Sequence, residues 1–170
     1  MENEENMDDV DRILAGWRRE RPDLDVSPME IMSRISRLAK QLDRARKATF
    51  DDHGLEMWAF DVLSALRRAG EPYQLSPSQL AAEVFVTSGT MTNRLERLAT
   101  NGWVSRHADP RDRRSLLVRL TASGQERVDN ALAEFLVQET RLLASLEAEE
   151  QDELADLLRR LSSGFTATAN

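Results

Sequence analysis

Apolar residues recur along this chain at helical spacing in several stretches and at alternate positions in one, and that pattern divides it into elements. Val10, Ile13, Leu14 and Trp17 stand at i, i+3, i+4 and i+7 and predict an amphipathic helix over about residues 4–20, ended by Arg21-Pro22. A helix this short is marginal in water, so its stripe must dock. Met29, Met32, Ile35, Leu38, Ala39 and Leu42 predict a second helix, facing inward and running to about residue 50, and Ser27-Pro28-Met29-Glu30 reads as its capping box. Trp58, Val62, Leu63 and Leu66 mark a third over about residues 55–69, closed by Gly70.

The stretch over residues 75–121 organises the rest. Ser76, Pro77 and Gln79 form a helix start, and a second helix over about residues 88–100 stops at Asn101-Gly102. A strand then begins at Trp103-Val104 and runs to Asp109-Pro110. The returning strand, about residues 115–120, puts Leu116, Val118 and Leu120 on one side. Helix, turn, helix and hairpin predict a winged helix-turn-helix. From Thr121 a long helix carries Val128, Ala131, Leu132, Phe135, Leu136, Leu142 and Leu143. After a restart near residues 145–150, Leu154, Leu157, Leu158, Leu161 and Phe165 continue the stripe.

The fold class is therefore mostly α with a small β wing. We divide the chain into an extension helix (residues 1–26), a helical dimerisation region (27–54 and 122–165) and a DNA-binding winged helix-turn-helix (55–121). One small winged domain cannot bury so many apolar faces, and the surplus implies a second copy. Composition favours disorder in the acidic first eleven residues and in the tail from Ser162.

Rotation by about 100° per residue separates the faces of the helix over residues 88–100. Met91, Leu95 and Leu98 form an inward stripe, while Gly89, Thr90, Asn93, Glu96 and Arg97 lie opposite. Asn93 and Arg97 suit bidentate contact with base edges, and the hydroxyls of Ser88 and Thr90 suit phosphates. Arg94 lies on the flank of the apolar stripe, where it can reach inward. At the hairpin tip, Arg111, Arg113 and Arg114 either form a solvated turn or meet phosphates and the minor groove, and the neighbouring groove-reading helix favours contact.

Composition changes this picture in one respect. The 170 residues are 41% hydrophobic and 31% charged, with a net charge of −7 that argues against nucleic acid. Yet residues 85–120 hold seven arginines against Glu96, Asp109 and Asp112, a local +4 on a remainder of −11. Such a patch can bind a polyanion on one face while the acidic body repels it elsewhere. No apolar run reaches membrane length, and the acidic start is unlike an export signal, so the protein is expected in the cytoplasm with no membrane partner.

Other chemistry is sparse. The absence of cysteine removes disulfides and thiolate ligands. His53 and His107 join no Ser/His/Asp arrangement, phosphate loop or metal spacing, and Asp51-Asp52-His53 reads as a solvated turn. No enzyme activity, cofactor or metal is expected. Trp17 is either a packing anchor or the cover of a pocket. Asp61 is either a solvated acid or, if turned inward, needs a cationic partner, because an unpaired buried carboxylate costs several kcal/mol. A protein-interaction adaptor is the reading from another class, but its helix would present an apolar outer face where this one holds Thr90, Asn93 and Arg97.

The helix pair, the helix-turn-helix, the DPRDRR wing, the segment Leu120-Thr121-Ala122-Ser123-Gly124 and the long C-terminal helices together resemble the MarR family of bacterial transcription regulators. The resemblance covers about residues 27–161. It implies a homodimer on a pseudo-palindromic double-stranded operator, with helices from both chain ends at the interface. More narrowly, Trp17 on an extra N-terminal helix, Asp61 in WAFDVL, Arg94 in TNRLERL and Arg106 in VSRH are similar to the urate-responsive branch, which includes the PecS-type regulators. That likeness implies a repressor attenuated by urate or a related purine, bound through Trp17, Asp61, Arg94 and Arg106, with an Asp61–Arg94 pair holding the recognition helix. A phenolic or antibiotic-like ligand is the alternative within the family.

Overall fold

The computed structural model describes residues 7–109 and 116–168, and the wing tip with Arg111, Arg113 and Arg114 lies outside the described residues. The chain divides into two compact units, Met1–Ala48 and Thr49–Asn170. The first holds α1 (Asp9–Glu20) and most of α2 (Pro28–Asp52).

Helix α1 starts later than its apolar pattern predicts, because Asp8 supplies the cap. Its carboxylate accepts from the amides of Val10 and Asp11 at 2.7 and 2.9 Å, and Asp11 returns a bond to the Asp8 amide at 3.0 Å. The bond from the Asp11 amide holds the Asp8 carboxyl below the usual carboxylate range. Residues 9–11 are thus helical rather than disordered. Val10, Leu14 and Val26 make a small core with Met29 packed on it, and Arg34 reaches Asp8 and Asp11 from α2.

The capping box expected at Ser27 does not form. Asp25, two residues earlier, is the nearer acceptor and takes both the Ser27 amide (2.9 Å) and its hydroxyl (3.1 Å), while Glu30 pairs with Arg18. The inward stripe of α2 is only partly realised as well. Ile35 and Leu42 are half-buried, but Met32 and Leu38 are 41% and 56% exposed.

The second unit is built around α3 (Met57–Arg68), in which Ala59, Phe60, Val62, Leu63, Ser64, Ala65 and Leu66 are all buried. Around it pack Leu80 of α4 (Pro77–Glu83), Met91, Leu95 and Leu98 of α5 (Ser88–Thr100), and Val128 and Ala131 of α6 (Ala122–Leu143). Phe50 stacks on Phe60 with ring centroids 4.1 Å apart, and Phe135 meets both at 5.5 and 6.0 Å. Burial of this order, roughly 1.5–3 kcal/mol for each large apolar side chain, holds the unit together.

The wing has three strands where the sequence predicts two. β1 (Gln74–Leu75) pairs antiparallel with β3 (Leu116–Leu120), which pairs on its other edge with β2 (Val104–Ala108). Two residues show no alternation, so β1 leaves no periodic signal. Val118 and Leu120 are buried as the alternation predicts, and so is Val104, whereas Leu116, at the loop end of the hairpin, is 50% exposed.

Thr121 caps α6, accepting from the Gly124 amide at 3.0 Å. Helix α7 (Ala148–Thr168) continues through the tail that composition assigns to disorder. Leu136, Leu142, Leu154, Leu157 and Leu158, the predicted stripe of both helices, are 39–55% exposed. From Ala148 to Gly164 only Gln151 and Leu161 are better than exposed. A helix with an apolar stripe that packs on nothing is not stable alone in water.

Candidate nucleic-acid interface

Local chemistry starts both helices of the reading pair. Ser76 accepts from the Gln79 amide, and the Gln79 side chain returns a bond to the Ser76 amide, closing the predicted box with Pro77 in the first turn. Thr87 caps α5 by accepting from Thr90, and the helix ends at Asn101 with Gly102 at φ +74°. The turn between them passes through Phe85, left-handed at φ +53° and 94% exposed. Glycine takes that conformation without steric cost, so a bulky exposed residue there is unusual.

The helical angles predicted for α5 are those observed. Met91, Leu95 and Leu98 are 0, 2 and 0% exposed, and Ser88, Gly89, Thr90, Asn93, Glu96 and Arg97 all face solvent. Part of this outer face joins the start of α3. Trp58, Gly89, Thr90, Asn93, Arg94 and Arg97 line an open hollow of about 500 Å³. The Arg97 guanidinium carbon stands 4.8 Å over the Trp58 ring and that of Arg94 5.5 Å over it. Glu56 Oε2 accepts from Arg97 Nη2 at 2.7 Å and from Trp58 Nε1. Trp58, one of the apolar residues whose spacing predicts α3, is half-buried and gives its ring face to two cations.

Asp61 and Arg94 line different hollows. Asp61 is exposed and borders one of about 470 Å³ with Ser64, Arg67, Val84, Phe85 and Leu132. Arg67 there donates to both Asp129 oxygens, at 2.9 and 3.2 Å, and this bond raises its pKa above the usual arginine value. Arg94 is half-buried, as its flank position predicts. Arg106 pairs in register with Val118, so it stands on the buried face of the sheet, but nearer the loop end of the hairpin than the buried Val104–Leu120 pair, and it is exposed. Trp17, in the first unit, is 47% exposed.

The base of the wing is tied to α6 by main-chain contacts. The Thr121 amide donates to Trp103 O at 3.0 Å and its hydroxyl to Gly102 O at 2.8 Å. Arg127 stands 4.9 Å over the Trp103 ring and donates to His53 O. His53 itself meets Glu134 at 2.8 Å, so the turn after α2 is held to α6. Among the described residues no group of acids and histidines could hold a metal, and no helix is long and apolar enough to cross a membrane.

Sequence reasoning missed Glu56 and the platform face of Trp58. Glu56 carries no motif and lies 41 residues from the arginine it meets, so nothing local marks the pair.

A helix with a dry inner stripe and a polar outer face, backed by a three-stranded wing, defines a winged helix-turn-helix regulator. Residues 53–115 match the MarR family. Over 153 residues the chain is 38% identical to the HTH-type transcriptional regulator PecS of Dickeya dadantii (strain 3937), covering 90% of this chain and 92% of that one. It is 29% identical over 143 residues to the HTH-type transcriptional repressor YetL of Bacillus subtilis (strain 168), covering 82% and 85%. The crystal structure of AbsC, a MarR family transcriptional regulator from Streptomyces coelicolor, matches with a TM-score of 0.74 over 85% of this chain and 97% of that chain; at 19% identity the likeness is of fold alone. The chain belongs to the MarR family of transcriptional regulators and is not an enzyme.

Proposed function

We propose that this protein is a homodimeric repressor whose hold on a pseudo-palindromic operator is loosened by a small planar anion of the urate or purine class. One observation carries the DNA-reading part. Thr90, Asn93 and Arg97 are exposed together on the side of α5 away from its buried stripe, and Ser88 is exposed at the first residue of the helix. Asn93 and Arg97 read base edges in the major groove, Ser88 and Thr90 meet phosphates, and Arg111, Arg113 and Arg114 on the wing supply positive charge. Dimerisation is supported by the uncovered stripes of α6 and α7. The half-sites are then about one helical turn, roughly 10 bp, apart.

Binding to a duplex selected from a randomised pool, measured across salt concentrations, tests this. Arg97→Ala costs about 1–3 kcal/mol on the selected duplex and relaxes its sequence preference, while Arg111→Ala or Arg113→Ala weakens all duplexes alike and lowers the salt slope by about one. Affinity independent of salt would overturn the reading.

The ligand residues in this proposal are Trp17, Asp61, Arg94 and Arg106, supported by the likeness to PecS and by Arg94 lying beside the recognition face. An anion that competes for Arg94 and Arg106 and is repelled by Asp61 shifts α5, and DNA affinity falls. Such coupling is typically about 5- to 150-fold. Urate, xanthine and hypoxanthine titrated against the protein–DNA complex should release DNA, and Trp17→Ala and Asp61→Asn should blunt the response. No release by any of the three, or an unaltered response in both variants, would exclude these residues as the ligand site.

A further inference from the structure

We infer that Glu56 is a positioning residue for DNA sequence reading, holding Arg97 against Trp58 so that its guanidinium meets the major groove already oriented. The inference rests on the proposed base contact of Arg97. Glu56 is the N-cap residue of α3, where a carboxylate ordinarily accepts from the free amides of its own helix. It makes no such bond. Its Oε2 instead accepts from Arg97 Nη2 at 2.7 Å and from the Trp58 indole. The guanidinium carbon lies 4.8 Å over the Trp58 ring, with Arg94 at 5.5 Å over the same ring.

Arg97 is thereby bounded by a carboxylate and by an aromatic face, yet its side chain is 56% exposed and that of Glu56 54%. A long side chain without such a bracket samples many rotamers and must be ordered when DNA arrives. The bond to Glu56 uses one of the two N–H groups of Nη2 and leaves the other four N–H groups of the guanidinium for a base edge. Glu56 also places a negative charge beside the surface that phosphates approach, which weakens binding to every sequence. A carboxylate in that place opposes affinity while serving orientation, so the two effects separate on substitution.

In the full-length protein, Glu56→Gln should bind a mixed-sequence duplex about two- to threefold more tightly, as loss of one exposed charge allows. Its preference for the duplex selected by the wild-type protein should nonetheless fall by about 5- to 10-fold, part of what one bidentate base contact discriminates. Trp58→Phe, which keeps the ring but loses the indole N–H, should lower the preference less. In an Arg97→Ala background Glu56→Gln should not change it further, which separates action through Arg97 from a general structural effect. A preference lowered by Arg97→Ala but unmoved by Glu56→Gln, or lowered equally by Glu56→Gln in both backgrounds, overturns the inference alone. A preference unmoved by Arg97→Ala removes the base contact itself and the inference with it.

Discussion

Gly124→Ala is expected to destabilise the protein by about 2 kcal/mol, although alanine is the better helix former by about 1 kcal/mol. Gly124 sits in the first turn of α6, and a Cβ there would stand 2.1 Å from Trp103 O, 2.9 Å from its carbonyl carbon and 3.0 Å from Leu120 Cδ1. The first two atoms are backbone and cannot swing aside. Trp103 O also accepts from the Thr121 amide, so relief of the overlap pulls on the junction of α5, the wing and α6. Thermal unfolding should show a lower Tm, by roughly 4–8 °C for a chain of this size. Ser123→Ala, one residue earlier and exposed, should stay within about 0.5 kcal/mol of wild type. A Gly124→Ala protein as stable as wild type would mean that α6 and the wing are not packed as described.

The paired substitution Leu142→Glu with Leu157→Glu should convert the proposed dimer to a monomer and weaken binding to the selected duplex by at least about 100-fold, the gain that linking two half-site contacts brings. In one chain these side chains are 55% and 49% exposed, so the single subunit loses little by the change. In an interface each would place a charge in apolar surroundings at a cost of several kcal/mol. Light scattering at micromolar concentration gives the mass, and circular dichroism reports how much of α7 survives without a partner. A variant that stays dimeric would move the interface elsewhere, and a monomeric wild-type protein would remove the dimer from the proposal.

These two experiments concern features that differ in how plainly the chain displays them. The exposed leucines belong to periodic stripes that can be read directly from the spacing of apolar residues. Gly124 appears in the sequence as a weak helix former near a helix start, and its constraint comes from a carbonyl twenty-one positions earlier. The same division runs through the reading surface. Met91, Leu95, Leu98 and the opposed Asn93 and Arg97 follow from a period of about 3.6 residues. Glu56 and the ring of Trp58, which bracket Arg97, follow from no period.

By itself the sequence determined the helix-turn-helix with its Ser76 cap, the start of α6 at Thr121, the stop at Asn101-Gly102, the inner and outer faces of α5, the half-buried strand at Val118 and Leu120, and the surplus apolar stripes. Each depends on residues within a turn or two of one another, where spacing and capping chemistry act directly. Only the tertiary structure decided that Asp25 displaces the Ser27 cap, that Gln74 and Leu75 add a strand, that Asp61 and Arg94 line different hollows, and that Glu56 holds Arg97. Two of these join residues far apart in the chain and one keeps Asp61 and Arg94 apart, and all three are decided only once α3, α5 and the wing have packed. The fourth is a contest for the Ser27 amide between two nearby acceptors, the carboxylates of Asp25 and Glu30, that the final backbone geometry resolves.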